Sequence, residues 1–424
     1  MRRPQAVVVV TGSELVRGVR TDLNGPFLAR EAERLGLEVA RIDIVGDAPE
    51  ALARVLRAAL DDGDAVLTSG GLGPTHDDRT VEFVAAALGV GLRVSPELAT
   101  QIEGVSRAAA ERLKRSYADF APGVTKQATI PEGASSIGLA GTAPGLLVPR
   151  EDGRLVVILP GPPSELRRLW PNALETDAFR DLLARTSPPG RRLLRFFGVS
   201  ESAVARALAD AGGDGDGVEL TICARDFEIH VDIVIEPGAE ARADELEARF
   251  LPPIERFLYG RDGRGVEEHV LELCRARGWT LATAESCTGG LVAARLTSVP
   301  GSSAVVMGGV VAYANGVKER ELGVPAALLE LHGAVSAEVA EAMANGALER
   351  LGVDVAVSVT GIAGPDGGTP EKPVGLVYLH AATPEGSRGR EFSFPGDRAS
   401  IRARSVVGAL HLVRRLLQSP DEGV

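Results

Sequence analysis

The 424-residue chain is short of cysteine, aromatic residues, lysine and long apolar runs. Its three cysteines, Cys223, Cys274 and Cys287, are too few and too scattered for a disulfide framework or a zinc site. Aromatics make up 4%, so cores have to be assembled from Ala, Val and Leu. No apolar run reaches the roughly 18 residues of a membrane span. The run Ala6-Val7-Val8-Val9-Val10 is too short for a signal-peptide core and predicts a first strand. A cytoplasmic location with no membrane partner is the expectation. Net positive charge is also missing: 46 Lys+Arg against 58 Asp+Glu give -12. No nucleic-acid partner is expected, because such binding needs a cationic surface to displace counterions. The lysines are Lys114, Lys126, Lys318 and Lys372, and every other cation is an arginine.

What remains is an ordinary globular composition, 45% hydrophobic and 25% charged. At roughly 150 residues per domain, the length suggests about three domains. Residues 1–172 alternate strands (6–10, 37–45, 64–68, 154–159) with helices (25–35, 50–60, 81–88), which predicts crossover units and a parallel sheet. The break Ser187-Pro188-Pro189-Gly190 opens a smaller β-α-β-β-α segment within 173–260. A second break, Tyr259 to Gly265, precedes an α/β segment over 261–424. Its elements are helices at 266–277, 337–351 and 401–417, and strands at 280–284, 304–313, 354–360 and 374–380.

In the first segment, Ser69-Gly70-Gly71-Leu72-Gly73-Pro74-Thr75-His76-Asp77-Asp78 follows a strand and precedes a helix. Ligands of open α/β sheets bind beyond the carboxyl ends of strands, and glycines there let backbone N–H groups approach phosphate. Asp77 and Asp78 either cap the helix or hold a divalent metal against a diphosphate.

In the last segment three features converge. Glu285-Ser286-Cys287-Thr288-Gly289-Gly290 joins a strand to a helix, where hydroxyls, glycines and a helix N-terminus suit an anion. Thr360-Gly361-Ile362-Ala363-Gly364 follows another strand in the same way. Gly301-Ser302-Ser303 precedes a strand ending at Tyr313, with Lys318 in the next helix. A serine needs a base, and a desolvated lysine can serve where an arginine cannot. On spacing alone Lys318 reads equally as a surface lysine in a helix first turn. Cys287, at a probable helix start, competes as nucleophile, although a small buried hydrophobe is the preferred reading.

These motifs resemble those of the CinA family (competence/damage-inducible protein A). Gly70 to Asp78, Thr11-Gly12-Ser13-Glu14 with Asp22 and Asn24, and Pro160-Gly161-Pro162-Pro163 are similar to its molybdopterin-binding-like domain, with Leu23 where a threonine is usual. The 284–290, 301–303, 361–368 and 371–375 segments, with Phe394-Pro395-Gly396-Asp397-Arg398, resemble its C-terminal domain. The resemblance implies an α/β molybdopterin-binding-like domain, a small α+β KH-type linking domain and an α/β deamidase domain. It implies deamidation of nicotinamide mononucleotide with no cofactor. Ser303 would be the nucleophile, Lys318 its base, Tyr313 a proton relay or orienting partner and Arg398 a phosphate ligand. It also implies metal-dependent cleavage of ADP-ribose, with a divalent ion at Asp77 and Asp78 and with Glu14 and Asn24 across the cleft. A homodimer is expected. The alternatives are a molybdopterin-binding protein of molybdenum cofactor biosynthesis and a non-catalytic nucleotide-binding scaffold linked to competence. The glycine-rich loop 211–217 carries Asp214 and Asp216 and no cation, so the middle segment reads as a spacer or dimer element.

Overall fold

The computed structural model describes residues 3–418, which fall into two compact units divided after Gly190. The first unit is built on a six-stranded sheet in the order β2-β1-β3-β8-β7-β6. Its strands are β1 (Gln5–Thr11), β2 (Glu38–Val45), β3 (Ala65–Ser69), β6 (Ser135–Leu139), β7 (Pro144–Pro149) and β8 (Leu155–Leu159). Two short strands, β4 (Leu92–Val94) and β5 (Thr129–Pro131), form a separate ladder. β2, β1, β3 and β8 are parallel, as the strand–helix alternation predicts. β7 runs antiparallel to β8, and β6 to β7. Both links are too short for a crossover helix, so the sheet is mixed.

β1 is apolar without alternation because helices cover both of its faces. Val7 and Val9 pack with Leu52 and Leu56 on one side, and Ala6 and Val8 with Leu28 and Leu166 on the other. Phe179 and Leu182, from the helix Asp177–Leu183, join that second core. Residues 173–190 therefore belong to the first unit, whereas the sequence reading ended it at 172.

The second unit holds two sheets. One, in the order β10-β11-β9-β12, comprises β9 (Gly190–Phe196), β10 (Val218–Arg225), β11 (Glu228–Ile235) and β12 (Leu258–Gly260). The helices Glu201–Asp210 and Glu240–Phe250 complete the expected β-α-β-β-α order. The other, in the order β14-β13-β15-β16-β17, comprises β13 (Leu281–Glu285), β14 (Val306–Val311), β15 (Val355–Gly361), β16 (Leu376–Thr383) and β17 (Gly386–Ser393). β13, β14 and β15 are parallel, and β16 and β17 complete the sheet antiparallel. The helices Val266–Arg277 and Arg398–Gln418 cover one face, and Ala337–Leu351 covers the other.

The two sheets of this unit share a buried polar knot. The Glu228 carboxylate lies 2.6 Å from both the Tyr259 hydroxyl and His411 Nε2. Arg414 Nε donates to His411 Nδ1 at 3.3 Å, so the imidazole proton sits on Nε2 and points at Glu228. The neutral ring stacks on Phe197 with centroids 3.7 Å apart. Burial pushes His411 down to about 4. Burial works to raise the Glu228 carboxyl, but hydrogen bonds from His230, His411 and Tyr259 outweigh it and hold it at about 2.

Both shifts make the unit acid-sensitive. Unfolded His411 takes up a proton near 6.5 and the folded ring only near 4, so its contribution is complete above 6.5 and fades as pH falls toward 4. Glu228 follows below its ordinary 4.5, toward 2. Calorimetric unfolding of the full chain should show a midpoint that declines between pH 6.5 and 4. The variant His411→Gln, less stable at neutral pH, should show a flatter decline across that window.

Candidate active sites

The first unit carries a cavity of about 660 Å³ at the carboxyl ends of its parallel strands, lined by the loops after β1, β3 and β8. Gly70 and Gly71 have φ of +100° and +67°. A Cβ would stand 2.5 Å from the Thr11 carbonyl at Gly70 and 2.1 Å from Thr80 Oγ1 at Gly71, so only glycine permits this turn. Gly73 is as tight, with Asp78 Oδ2 only 2.4 Å from a Cβ built there. The Thr75 hydroxyl lies against both Asp77 and Asp78, with one proton for the two carboxylates to share, and its N–H donates to Asp78 at 3.0 Å. Neither aspartate caps the helix Thr80–Leu88. Asn24 is buried, and its amide donates to Ser69 Oγ at 2.9 Å and to the Gly161 carbonyl at 2.7 Å. It ties three loops together. Glu14 is exposed on the cavity wall.

Carboxylates dominate this cavity: Glu14, Asp22, Asp47, Asp77, Asp78 and Glu165 line it, against Arg20. Burial raises the Glu165 carboxyl. Among the described residues no group of three or more His, Cys, Asp and Glu is placed to hold a metal. Two adjacent carboxylates, Asp77 exposed and Asp78 half-buried, still suit Mg²⁺, which is commonly held by one or two carboxylates together with substrate phosphates. The residue pair fits an ion shared with a diphosphate.

The second site lies where the parallel strands β13, β14 and β15 end on one edge. Ser286 follows β13, Tyr313 and Lys318 follow β14, and Ile362 to Gly364 follow β15. Lys318 is 1% exposed, in the helix Asn315–Leu322. Its Nζ lies 2.7 Å from the Ala312 carbonyl, 3.3 Å from the Tyr313 carbonyl and 3.1 Å from Ser286 Oγ. Burial pushes the amine below its usual range. In this geometry the amine donates to all three oxygens, and only its deprotonated form has a lone pair to offer the Ser286 hydroxyl.

Around this pair the loops are locked by side chains. Both Glu285 oxygens accept backbone N–H groups, from Gly290 and Ala293 at 2.9 Å and Val292 at 3.0 Å. Arg402 Nη2 donates to the Thr288 carbonyl at 2.8 Å and lies 3.4 Å from a Cβ built on exposed Gly289. The N–H groups of Cys287 and Thr288 meet no backbone acceptor among the described residues. Thr360 is buried, with its hydroxyl on the Ala334 carbonyl at 2.6 Å, and Ala363 is buried beside Gly361 and Gly364. At the mouth, Arg398 donates to the Gly364 carbonyl at 2.8 Å and to the Tyr313 hydroxyl at 2.9 Å.

Several expectations are corrected by this geometry. Ser303 is exposed in a turn before β14, whereas Lys318 follows that strand. Five strand steps of about 3.3 Å put roughly 16 Å between the two ends. Ser303 is therefore on the opposite edge, and Ser286 is the hydroxyl that Lys318 meets. Tyr313 reaches Lys318 through its carbonyl, while its hydroxyl pairs with Arg398. Glu285 is a helix cap, and it occupies the N-terminus that was expected to receive an anion. Thr360 packs the loop from beneath. Cys287, by contrast, is 5% exposed with its thiol pushed up to about 11 by burial, in keeping with the buried hydrophobe preferred for it from sequence.

Lys126 and Gln127 escaped the sequence reading. Both hold the glycine loop from behind, Lys126 on the Thr75 carbonyl and Gln127 Nε2 on the Leu72 carbonyl at 3.0 Å. The scarcity of lysine was the available signal. Lys126, Lys318 and Lys372 all donate to backbone carbonyls, the last to those of His332 and Val335 at 2.6 and 2.7 Å. A compact ammonium suits converging carbonyls better than a planar guanidinium fork does.

Comparison with known proteins matches each segment separately. Residues 7–178 match the probable molybdopterin binding domain, 191–260 the damage-inducible protein CinA KH domain, and 264–417 the CinA C-terminal domain. A CinA-like protein of Mycolicibacterium gilvum is 44% identical over 97% of this chain and 98% of its own length. One from Mycobacterium tuberculosis H37Rv is 43% identical over 97% of each chain. A crystal structure of competence/damage inducible protein CihA from Agrobacterium tumefaciens is 44% identical, with 36% of this chain and 96% of that chain covered and a TM-score of 0.35. CinA from Thermoplasma acidophilum, described as of unknown function, is 33% identical with 42% and 98% covered and a TM-score of 0.36.

The cysteines give a direct check on this site. Cys223 is exposed, whereas Cys274 and Cys287 are buried, with thiols raised to about 12 and about 11. Alkylation of the native protein at pH 8 should add one label by intact mass, and three after denaturation.

Proposed function

Because the chain belongs to the CinA family, we propose that its C-terminal domain is an amidohydrolase that deamidates nicotinamide mononucleotide, with Ser286 as nucleophile and Lys318 as base. The contact of 3.1 Å between the buried Lys318 Nζ and the half-buried Ser286 Oγ, at the carboxyl edge of the sheet, carries this reading. Neutral Lys318 takes the Ser286 proton as Oγ attacks the carboxamide carbon. The oxyanion that forms accepts from the N–H groups of Cys287 and Thr288, the donors beside the nucleophile that have no backbone partner. Protonated Lys318 returns its proton to the amine, and ammonia leaves. Water then attacks the acyl ester, with Lys318 again as base, and nicotinate mononucleotide departs. Arg398, steadied by Tyr313 and Gly364, supplies the cation for the remote phosphate, which holds the amide in line.

For the first unit, the acid-lined cavity supports cleavage of the ADP-ribose diphosphate. A divalent ion there supplies charge neutralisation and polarises the phosphoryl oxygens. Asp77 and Asp78 are the residues to hold it. Gly70, Gly71 and Gly73 allow close approach of the backbone, while Asn24 keeps the three loops in register. Molybdopterin, which also carries a phosphate, is the competing ligand for this cavity.

Lys318→Met should lower ammonia release about 10²–10⁴-fold, the usual worth of a general base. Ser286→Ala should cost at least as much, and Ser303→Ala should stay near the parent. The active amine is the free base, so kcat/KM should fall as pH drops through an apparent pKa below the ordinary lysine value of 10.5. Equal damage from Ser303→Ala and Ser286→Ala would refute the assignment. Chelation with EDTA is expected to silence ADP-ribose cleavage and spare ammonia release, and loss of both would break the metal-free mechanism.

A further inference from the structure

We propose that the small middle domain positions the deamidase machinery: the tip of its β10–β11 hairpin clamps the helix Arg398–Gln418, which presents Arg398 and Arg402 to the loops around Ser286 and Lys318. This goes beyond the spacer role expected from sequence, and its activity readout rests on the deamidase reading above.

The hairpin tip is built unusually. Asp226 and Phe227 have φ of +51° and +66°, a left-handed pair of positions where Asn and Gly are the favoured residues. An aromatic residue there is strained, and such strain persists where surrounding contacts over-determine it. Those contacts are on the long helix. The Phe227 ring lies under the Arg404 guanidinium, 4.1 Å from its centroid. The next residue, Glu228, accepts from His411 Nε2 at 2.6 Å. Tyr259 of the same domain shares Glu228, and Arg414 lies 5.5 Å over its ring.

Residues 404 and 411 are two helical turns apart and share one face of the helix. Arg402, two residues before Arg404, is rotated by about 200° and faces the other way, toward the Thr288 carbonyl. At the first turn Arg398 reaches Gly364 and Tyr313. The grip on one face therefore sets the rotation and axial register of the two arginines on the other. Arg402 in turn fixes the 286–290 loop, whose N–H groups are the oxyanion donors. Glu228 and Phe227 are positioning residues: they touch no substrate and act through the helix.

The test uses the full chain with three substitutions. Glu228→Ala removes the acceptor shared by His411 and Tyr259. Phe227→Gly relieves the strained turn and deletes the ring, and it should fold readily because Phe227 is partly exposed. Ile233→Ala weakens the core of the same domain without touching the helix contacts named above. With nicotinamide mononucleotide, Glu228→Ala should lower kcat/KM at least tenfold, mostly through a raised KM. Glu228→Gln, which keeps an acceptor for His411, should recover to within threefold of the parent. Hydrogen exchange at residues 286–290 should speed up at least tenfold in Glu228→Ala and threefold in Phe227→Gly, and stay at the parent rate in Ile233→Ala. Exchange in Glu228→Ala and Phe227→Gly no faster than in Ile233→Ala would overturn the clamp. If the parent releases no ammonia, the deamidase reading fails by itself, and the exchange data still decide the clamp.

Discussion

The second unit turns on one buried amine. Lys318 loses its hydration where two main-chain carbonyls and one hydroxyl converge at the end of three parallel strands. A charged ammonium is costly in that position, so burial moves the amine toward its free base, and Ser286 is the one side-chain hydroxyl it meets. A guanidinium keeps its proton under any such burial and could not take this role. This setting is therefore a reason for lysine in a chain where arginine supplies all but four of the cations.

A second regularity concerns polar side chains that look like ligands. Asn24, Glu285 and Thr360 all border site loops, at the start of a helix and near the ends of β13 and β15, yet each hydrogen-bonds to protein groups. Glycine-rich loops at strand ends leave many N–H and C=O groups without a ladder partner, and burying them unpaired is costly. Side chains with short reach meet that need first. The groups not used in this way are fewer: Ser286, Lys318, Arg398 and the N–H pair after Ser286. In the first unit the same sorting leaves Asp77 and Asp78 beside a cavity with little positive charge of its own.

The middle domain shows how a small element can act at a distance through a rigid one. A helix of 21 residues spans about 30 Å, long enough to carry a grip at residues 404–414 to a pocket at 398–402. Its polar knot keeps Glu228 ionised and His411 neutral because each hydrogen bond fixes the tautomer needed by the next.

Sequence alone determined the three-part α/β layout, most strands, the two loop sets and the singular status of Lys318, because hydrophobic period and glycine placement are local properties of the chain. It also held the argument that it failed to apply: Ser303 precedes its strand while Ser286 follows one, and ligands of parallel sheets gather at carboxyl ends. Other facts were decided only in three dimensions. The antiparallel pairings of β6, β7, β16 and β17 depend on which edge was free to pair. The helix-capping role of Glu285, the tie made by Asn24 and the support from Lys126 join groups across loops whose approach no local pattern encodes. Which hydroxyl meets the buried amine was settled by the common direction of β13 and β14, since the length of a strand separates its two ends and only one of them lies beside Lys318.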